Sequence, residues 1–147
     1  MPGAPVLDSH ALLKLLRDEP GADTVVLILE KSSQHDEPVH MTEVNYAEVQ
    51  YMVRRKDGDA AWTAIAKELR AAPIEFHPVD RQLSDLAADL KARHKISLAD
   101  AFAAALAKAR KTELVTGDPE FKALEKEIKI NWSIKTTYKP RLTISNE

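Results

Sequence analysis

Four carboxylates stand where side chains of that type do chemistry. Asp8 closes the apolar run Pro5-Val6-Leu7, and Glu43 follows directly on the run 39–42. Asp118 lies just past the run 114–116, and Asp100 falls in the first turn of a helix that Ser97 opens. If the runs are neighbouring parallel strands, Asp8, Glu43 and Asp118 meet at one sheet edge. The helix opened by Ser97 aims Asp100 at the same edge. Carboxylates crowded into a cleft repel one another at low local dielectric, and they stay ionised together only around a cation. Hard oxygen donors in a chain without cysteine favour Mg2+ or Mn2+ over zinc. Such an ion binds phosphate oxygens, activates water and stabilises a leaving oxygen.

Each acid taken alone has a plainer explanation. Ser97-Leu98-Ala99-Asp100 reads as a capping box, Asp118 before Pro119 as a helix N-cap, and Glu43 as a first-turn helix acid. Asp8 resists that treatment, because a charge ending an apolar strand beside the core is costly if unpaired. The case for chemistry is the coincidence of four sites. Ser9 and Thr116 flank the acids and suit hydrogen bonds to a carboxylate; no positioned base is evident for a serine nucleophile. The 5 histidines show neither HxxxH nor HExxH spacing, which argues against a zinc site, and His10 reads as non-catalytic. Trp62 and Phe102 fall at helical core spacing and read as packing.

The elements that must position these groups alternate along the chain. Leu12, Leu13, Leu15 and Leu16 mark a helix stopped by Pro20-Gly21, and 25–29 is read as helical despite its β-branched residues. A strand at 39–42 leads into a helix with Val44, Ala47, Tyr51 and Met52 on one face. After Gly58, Asp59 caps a helix carrying Trp62, Ile65, Ala66 and Leu69. A strand over 74–79 precedes a helix capped by Asp80 with Leu83, Leu86, Ala87 and Leu90 inside. The Ser97 helix buries Leu98, Phe102, Ala105, Leu106 and Ala109. A strand at 113–116, a short helix at 119–124 and a strand at 128–132 complete the pattern. This alternation predicts an α/β fold with a short parallel sheet of four or five strands between helices.

Composition narrows the classes. The 147 residues suffice for one domain, with 44% hydrophobic and 30% charged residues. No cysteine is present, which excludes disulfides and thiolate catalysis. With 4 glycines there is no phosphate-binding glycine loop. The aromatic share of 5% argues against a base-stacking platform, and a net charge of −2 against a simple polycation. No basic-then-apolar leader opens the chain, and the longest apolar run, 25–29, is far too short for a membrane span. The expectation is a soluble, cytoplasmic protein without a membrane partner.

Four blocks together carry a family resemblance. Val6-Leu7-Asp8-Ser9-His10-Ala11-Leu12-Leu13, Thr42-Glu43-Val44, Ser97-Leu98-Ala99-Asp100-Ala101 and Leu114-Val115-Thr116-Gly117-Asp118-Pro119-Glu120-Phe121 resemble, in order and spacing, PIN-domain ribonucleases, most of all VapC-type toxins of toxin–antitoxin pairs. The resemblance implies a nuclease domain over 1–132, with a tail at 133–147 outside the shared pattern. It implies a Mg2+-dependent endoribonuclease, Mn2+ substituting, that hydrolyses RNA phosphodiesters. Asp8, Glu43, Asp100 and Asp118 would be catalytic. Asp8, Asp100 and Asp118 would be the metal ligands, with Glu43 holding metal or orienting water. Ser9, Thr116 and Glu120 would support them. It further implies an antitoxin partner and a homodimer. Arg54, Arg55 and Lys56 are candidate RNA contacts, as are Lys108, Arg110 and Lys111; each run also reads as a solvated helix end. Without the four cleft acids, the 21 basic residues slightly outnumber the remaining acids. The alternative is a silent PIN fold that only binds RNA or protein. A haloacid-dehalogenase-like phosphatase would need an acid where His10 stands, and a receiver domain would need a lysine that Thr116-Gly117-Asp118 does not offer.

Overall fold

Apolar runs too short to stand alone must pair with one another, and the amphipathic stretches between them must cover the resulting sheet. The computed structural model, which describes residues 3–134, has that arrangement. Five strands pair in parallel: β1 Val6–Leu7, β2 Val39–Thr42, β3 Ile74–His77, β4 Leu114–Val115 and β5 Ile130–Asn131. Their order across the sheet is β3-β2-β1-β4-β5. Around it lie α1 Ser9–Leu16, α2 Ala22–Gln34, α3 Glu43–Asp57, α4 Asp59–Ala71, α5 Arg81–Arg93 and α6 Leu98–Arg110. A 3₁₀ helix, Pro119–Leu124, links β4 to β5. From residue 135 onward, the tail expected at 133–147 lies outside the described residues.

The expected elements are all present, but three strands are shorter than their sequence pattern. The strand at 74–79 stops at His77, because Pro78 has no N–H for the ladder. Residues 113–116 and 128–132 shrink to the two-residue strands β4 and β5. The run 25–29 is helical, as expected. Val25 is buried in the core, Ile28 and Leu29 pack against it, and Val26 and Leu27 face solvent.

Alternation along each strand divides the core. Val6 and Leu114 pack on one face with Ala87, Leu90, Phe102 and Leu106 of α5 and α6. Leu7, Val39 and Val115 point the other way, onto Ala11 and Val25. Met41 shares that second face with Leu12, Val49, Trp62 and Leu69. Trp62 and Phe102 are thus packing residues; Trp62 meets the ring of Tyr46 edge-on at 5.5 Å. Helix α6 buries Ala101, Ala103, Ala104, Ala105 and Ala107. Side chains that small let its axis lie close to the sheet, which fixes its first turn at the carboxyl ends of the strands. Among the described residues, no helix is long and apolar enough to cross a membrane.

Candidate active site

The order β3-β2-β1-β4-β5 turns back at β1 and β4, where adjacent strands send their chains to opposite sides. Ligand crevices of parallel sheets open there, beyond the carboxyl ends. The register pairs Val6 with Leu114 and Leu7 with Val115. One residue further, Asp8 stands opposite Thr116. The Thr116 hydroxyl donates to Asp8 Oδ2 at 2.5 Å and accepts from the Asp118 N–H at 3.0 Å. Asp8 Oδ1 accepts from the Ala11 N–H at 2.8 Å, so Asp8 also caps α1. This carboxyl is almost wholly buried. Burial pushes its pKa up to about 7, and the charges of Asp118 and Glu48 push the same way, against the bonds from Thr116 and Ala11.

Beside this pair lie Asp100, Asp118 and Glu120, each with a carboxylate oxygen within 4.8 Å of the other two. Ser97 caps α6 through the Asp100 N–H at 3.1 Å, and Asp118 caps the 3₁₀ helix through the Glu120 N–H at 2.9 Å. The plain capping explanations hold for the backbone and leave the carboxylates converging. Burial first, then the hydrogen bond to Glu120 and the charges of Asp118 and Asp8, raise the Asp100 pKa to about 8. Glu120 moves the opposite way, held down by Asp100 and by the Ser97 N–H at 3.3 Å. The two therefore share a proton. The donor set is all oxygen, and its crowded charges are relieved by protons, so the residues present suit a hard divalent cation in the protons' place.

The structure brings Glu120 into this cluster as a full member, where the sequence pattern suggested a supporting role. Asp8 stands one hydroxyl away from it. Glu43 does not join. It is exposed and lines a shallow groove with Tyr46, Arg70 and Phe76 on the α4 side. Glu48, half-buried on the same helix, is the acid whose charge reaches Asp8. Helical geometry explains the exchange. At about 100° per residue, Glu43 sits about 160° round α3 from buried Asn45, whereas Glu48 sits about 60° from it. The missed signal was the phase of α3, legible from the apolar positions Val49 and Val53. The strand end alone favoured Glu43.

Asn45 ties three helix starts together. Its Nδ2 donates to Ser9 Oγ at 3.2 Å and to the Ala99 carbonyl at 3.1 Å. Its Oδ1 accepts from the Thr42 hydroxyl, which caps α3 by accepting the Asn45 N–H at 2.9 Å. Ser9 in turn donates to the Asn45 carbonyl at 3.2 Å. The first turns of α1, α3 and α6 are thereby held against one another. Asn45→Ala strands several of these fully buried groups and is expected to cost about 2–3 kcal/mol, read as a lower urea midpoint with unchanged slope.

The PIN domain profile matches residues 6–127, most of the chain. The chain belongs to the PIN-domain family. Solved structures share its fold. VapBC2 from Rickettsia felis, bound to a DNA fragment from its promoter, superposes with a TM-score of 0.68 at 20% identity, over 85% of this chain and 95% of that one. DNA-bound VapBC from Salmonella typhimurium gives 0.66 at 15% identity, over 85% and 94%. FitAcB from Neisseria gonorrhoeae gives 0.64 at 21% identity, over 84% and 94%. No curated protein matches the chain.

The basic residues lie apart from the acids of this PIN domain. Arg54, Arg55 and Lys56 are exposed on the last turn of α3, about 14 Å along its axis from Asn45. Arg54 is paired with Asp59 at 2.8 Å, and the Arg55 guanidinium lies 5.0 Å over the Tyr51 ring. Lys108, Arg110 and Lys111 sit at the end of α6, roughly 12–17 Å along its axis from Asp100. Lys108 contacts Glu127 at 3.3 Å.

Proposed function

We propose that this PIN domain is a metal-dependent endoribonuclease and the toxin of a toxin–antitoxin pair. The observation that carries the reading is the convergence of Asp100, Asp118 and Glu120 beside the buried Asp8–Thr116 pair, at the switch point of the sheet. Asp100, Asp118 and Glu120 would hold Mg2+ or Mn2+, with Asp8 and Glu48 adding negative charge behind them. A divalent ion there supplies charge stabilisation for phosphate oxygens and lowers the pKa of water.

The chain's own residues do the rest. Thr116 holds Asp8 and the Asp118 backbone in one arrangement, so two ends of the site cannot drift apart. Asn45 and Ser9 fix the N-termini of α1 and α6, whose free N–H groups and positive dipole ends favour a phosphate nearby. The Asp100–Glu120 pair holds a proton that must leave before the site reaches full charge, so ion binding and cleavage are coupled to pH.

The partner reading rests on the PIN family and on the VapBC assemblies that share the fold. An antitoxin segment bearing Arg or Lys would neutralise the same acids, competing with the cation. RNA is the proposed substrate, and a homodimer the proposed assembly.

The test is incubation of the purified chain with tRNA and rRNA in Mg2+, in Mn2+ and in EDTA. Cleavage is expected with either ion and not in EDTA, and it should strengthen from pH 6 to pH 8.5 as Asp8 and Asp100 lose their protons. Rising pH is the correct direction because both pKa values are raised and the ionised forms are required. Absence of cleavage on every RNA with Mn2+ would overturn the nuclease reading and leave a binding module.

A further inference from the structure

Strands β2 and β3 place two imidazoles and a carboxylate on one face, away from the acidic cluster. The register pairs His40 with Glu75 and Thr42 with His77. Period-two alternation therefore sends His40, Glu75 and His77 to the same side of the sheet, opposite Met41 and Phe76. His40 Nδ1 and His77 Nε2 are 2.9 Å apart, with ring centroids at 4.9 Å and planes tilted by 54°. The Glu75 carboxylate lies 4.0 Å from His40 Nδ1 and 3.7 Å from His77 Nε2. All three ligand atoms fall within 4.8 Å of one another. His40 is buried, His77 half-buried and Glu75 exposed, so the group has a dry floor and an open mouth.

We propose that His40, Glu75 and His77 form a second metal site, for a borderline transition-metal ion of the Zn2+ class. Imidazole nitrogens suit such ions, and the oxygen-only cluster at the other strand ends does not compete for the same chemistry. Tetrahedral zinc with bonds of roughly 2.0–2.1 Å sets ligand atoms about 3.3 Å apart. The two nitrogens must part by a few tenths of an ångström, and the exposed glutamate must close by about as much or slightly more. Both rings are held neutral, mainly by desolvation and with help from the Arg110 charge; the facing nitrogens share one hydrogen bond, whose proton must move to the donor ring's other nitrogen when the ion binds. Glu75 supplies the anion that offsets Arg110 and the ion. Three protein ligands leave one position open. A bound ion clamps β3, which among the described residues ladders only with β2, to the rest of the sheet. No spacing motif announces the site, because its histidines are 37 residues apart and meet only through strand pairing.

The experiment is titration of the untagged full chain with ZnCl2, followed by the imidazole NMR signals and by the melting temperature. One equivalent should move the His40 and His77 ring signals and raise the melting point, even in excess Mg2+. Asp118→Asn should respond like the wild type. Glu75→Gln, a change at an exposed side chain, should bind at least about tenfold more weakly. His77→Ala should lose more than about 100-fold, beyond the usual cost of changing an outer-shell partner. Rings that stay still at one equivalent, or a response lost in Asp118→Asn but kept in His77→Ala, would overturn the site.

Discussion

Asp100→Asn and Glu48→Gln are each expected to reduce metal-dependent RNA cleavage by at least about 100-fold, while Glu43→Gln stays within about twofold of the wild type. The reasoning is electrostatic. Asp100, Asp118 and Glu120 have oxygens close enough to share one ion, and burial first, then its acidic neighbours, push the Asp100 pKa up to about 8. An amide at that position keeps size and shape but cannot supply the charge, and preorganised charge at a reacting phosphate is worth factors of this size. Glu48 acts on Asp8 from α3. Glu43 points into the groove with Arg70 and Phe76. Initial rates on one RNA across a Mg2+ titration decide the matter. A loss in Glu43→Gln matching that in Asp100→Asn would mean that α3 presents its acids differently in solution. Recovery of Asp100→Asn at high Mg2+ would show that its role is affinity for the ion.

How much of this was legible in the sequence follows from which interactions are local. The strand–helix alternation, the caps Asp80, Ser97 and Asp118, and the helical nature of 25–29 are set within a few residues, and all were readable. The meeting of Asp8 with Thr116 was readable once β1 and β4 were assumed to be neighbours, since their register then follows. The choice between Glu43 and Glu48 was harder. It depends on the rotational phase of α3, which Asn45 sets through bonds to Ser9 and Ala99, residues 36 and 54 positions away. Strand lengths were overestimated for a similar reason. Apolar character continues past the last ladder bond, and only Pro78 marks an end in the sequence itself. The group of His40, Glu75 and His77 lay beyond local pattern altogether, because alternation on two strands creates it.

Asp8→Asn is expected to abolish cleavage and, in metal-free protein at pH 8, to make the chain more stable. Asp8 is held by the Ala11 N–H and the Thr116 hydroxyl, but these bonds do not cover the cost of an ionised carboxylate with almost no solvent contact. Its pKa therefore rises from 3.8 in the free side chain to about 7 in the fold. A raised pKa stabilises the fold fully below the unfolded value, and that contribution is lost as pH climbs through the folded one. Asp8 should accordingly weaken the metal-free wild type between about pH 4 and pH 7, and Asp100, raised to about 8, should extend the loss to about pH 8. An asparagine keeps the cap on α1 through its oxygen and offers its amide to Thr116, whose hydroxyl accepts a second donor. It carries no charge to bury. Thermal melts in EDTA at pH 8 should place the variant about 2 kcal/mol above the wild type, roughly 5 °C, with the gap closing at pH 4–5. Mg2+ should reverse the order at pH 8, because an ion stabilises whichever form binds it, and only the wild type keeps the full set of acids. A variant less stable than the wild type in EDTA at pH 8 would mean that Asp8 is structural, a cap whose charge the fold requires. The opposite result would show a carboxylate held at a cost to folding, which is the signature of a group kept for chemistry.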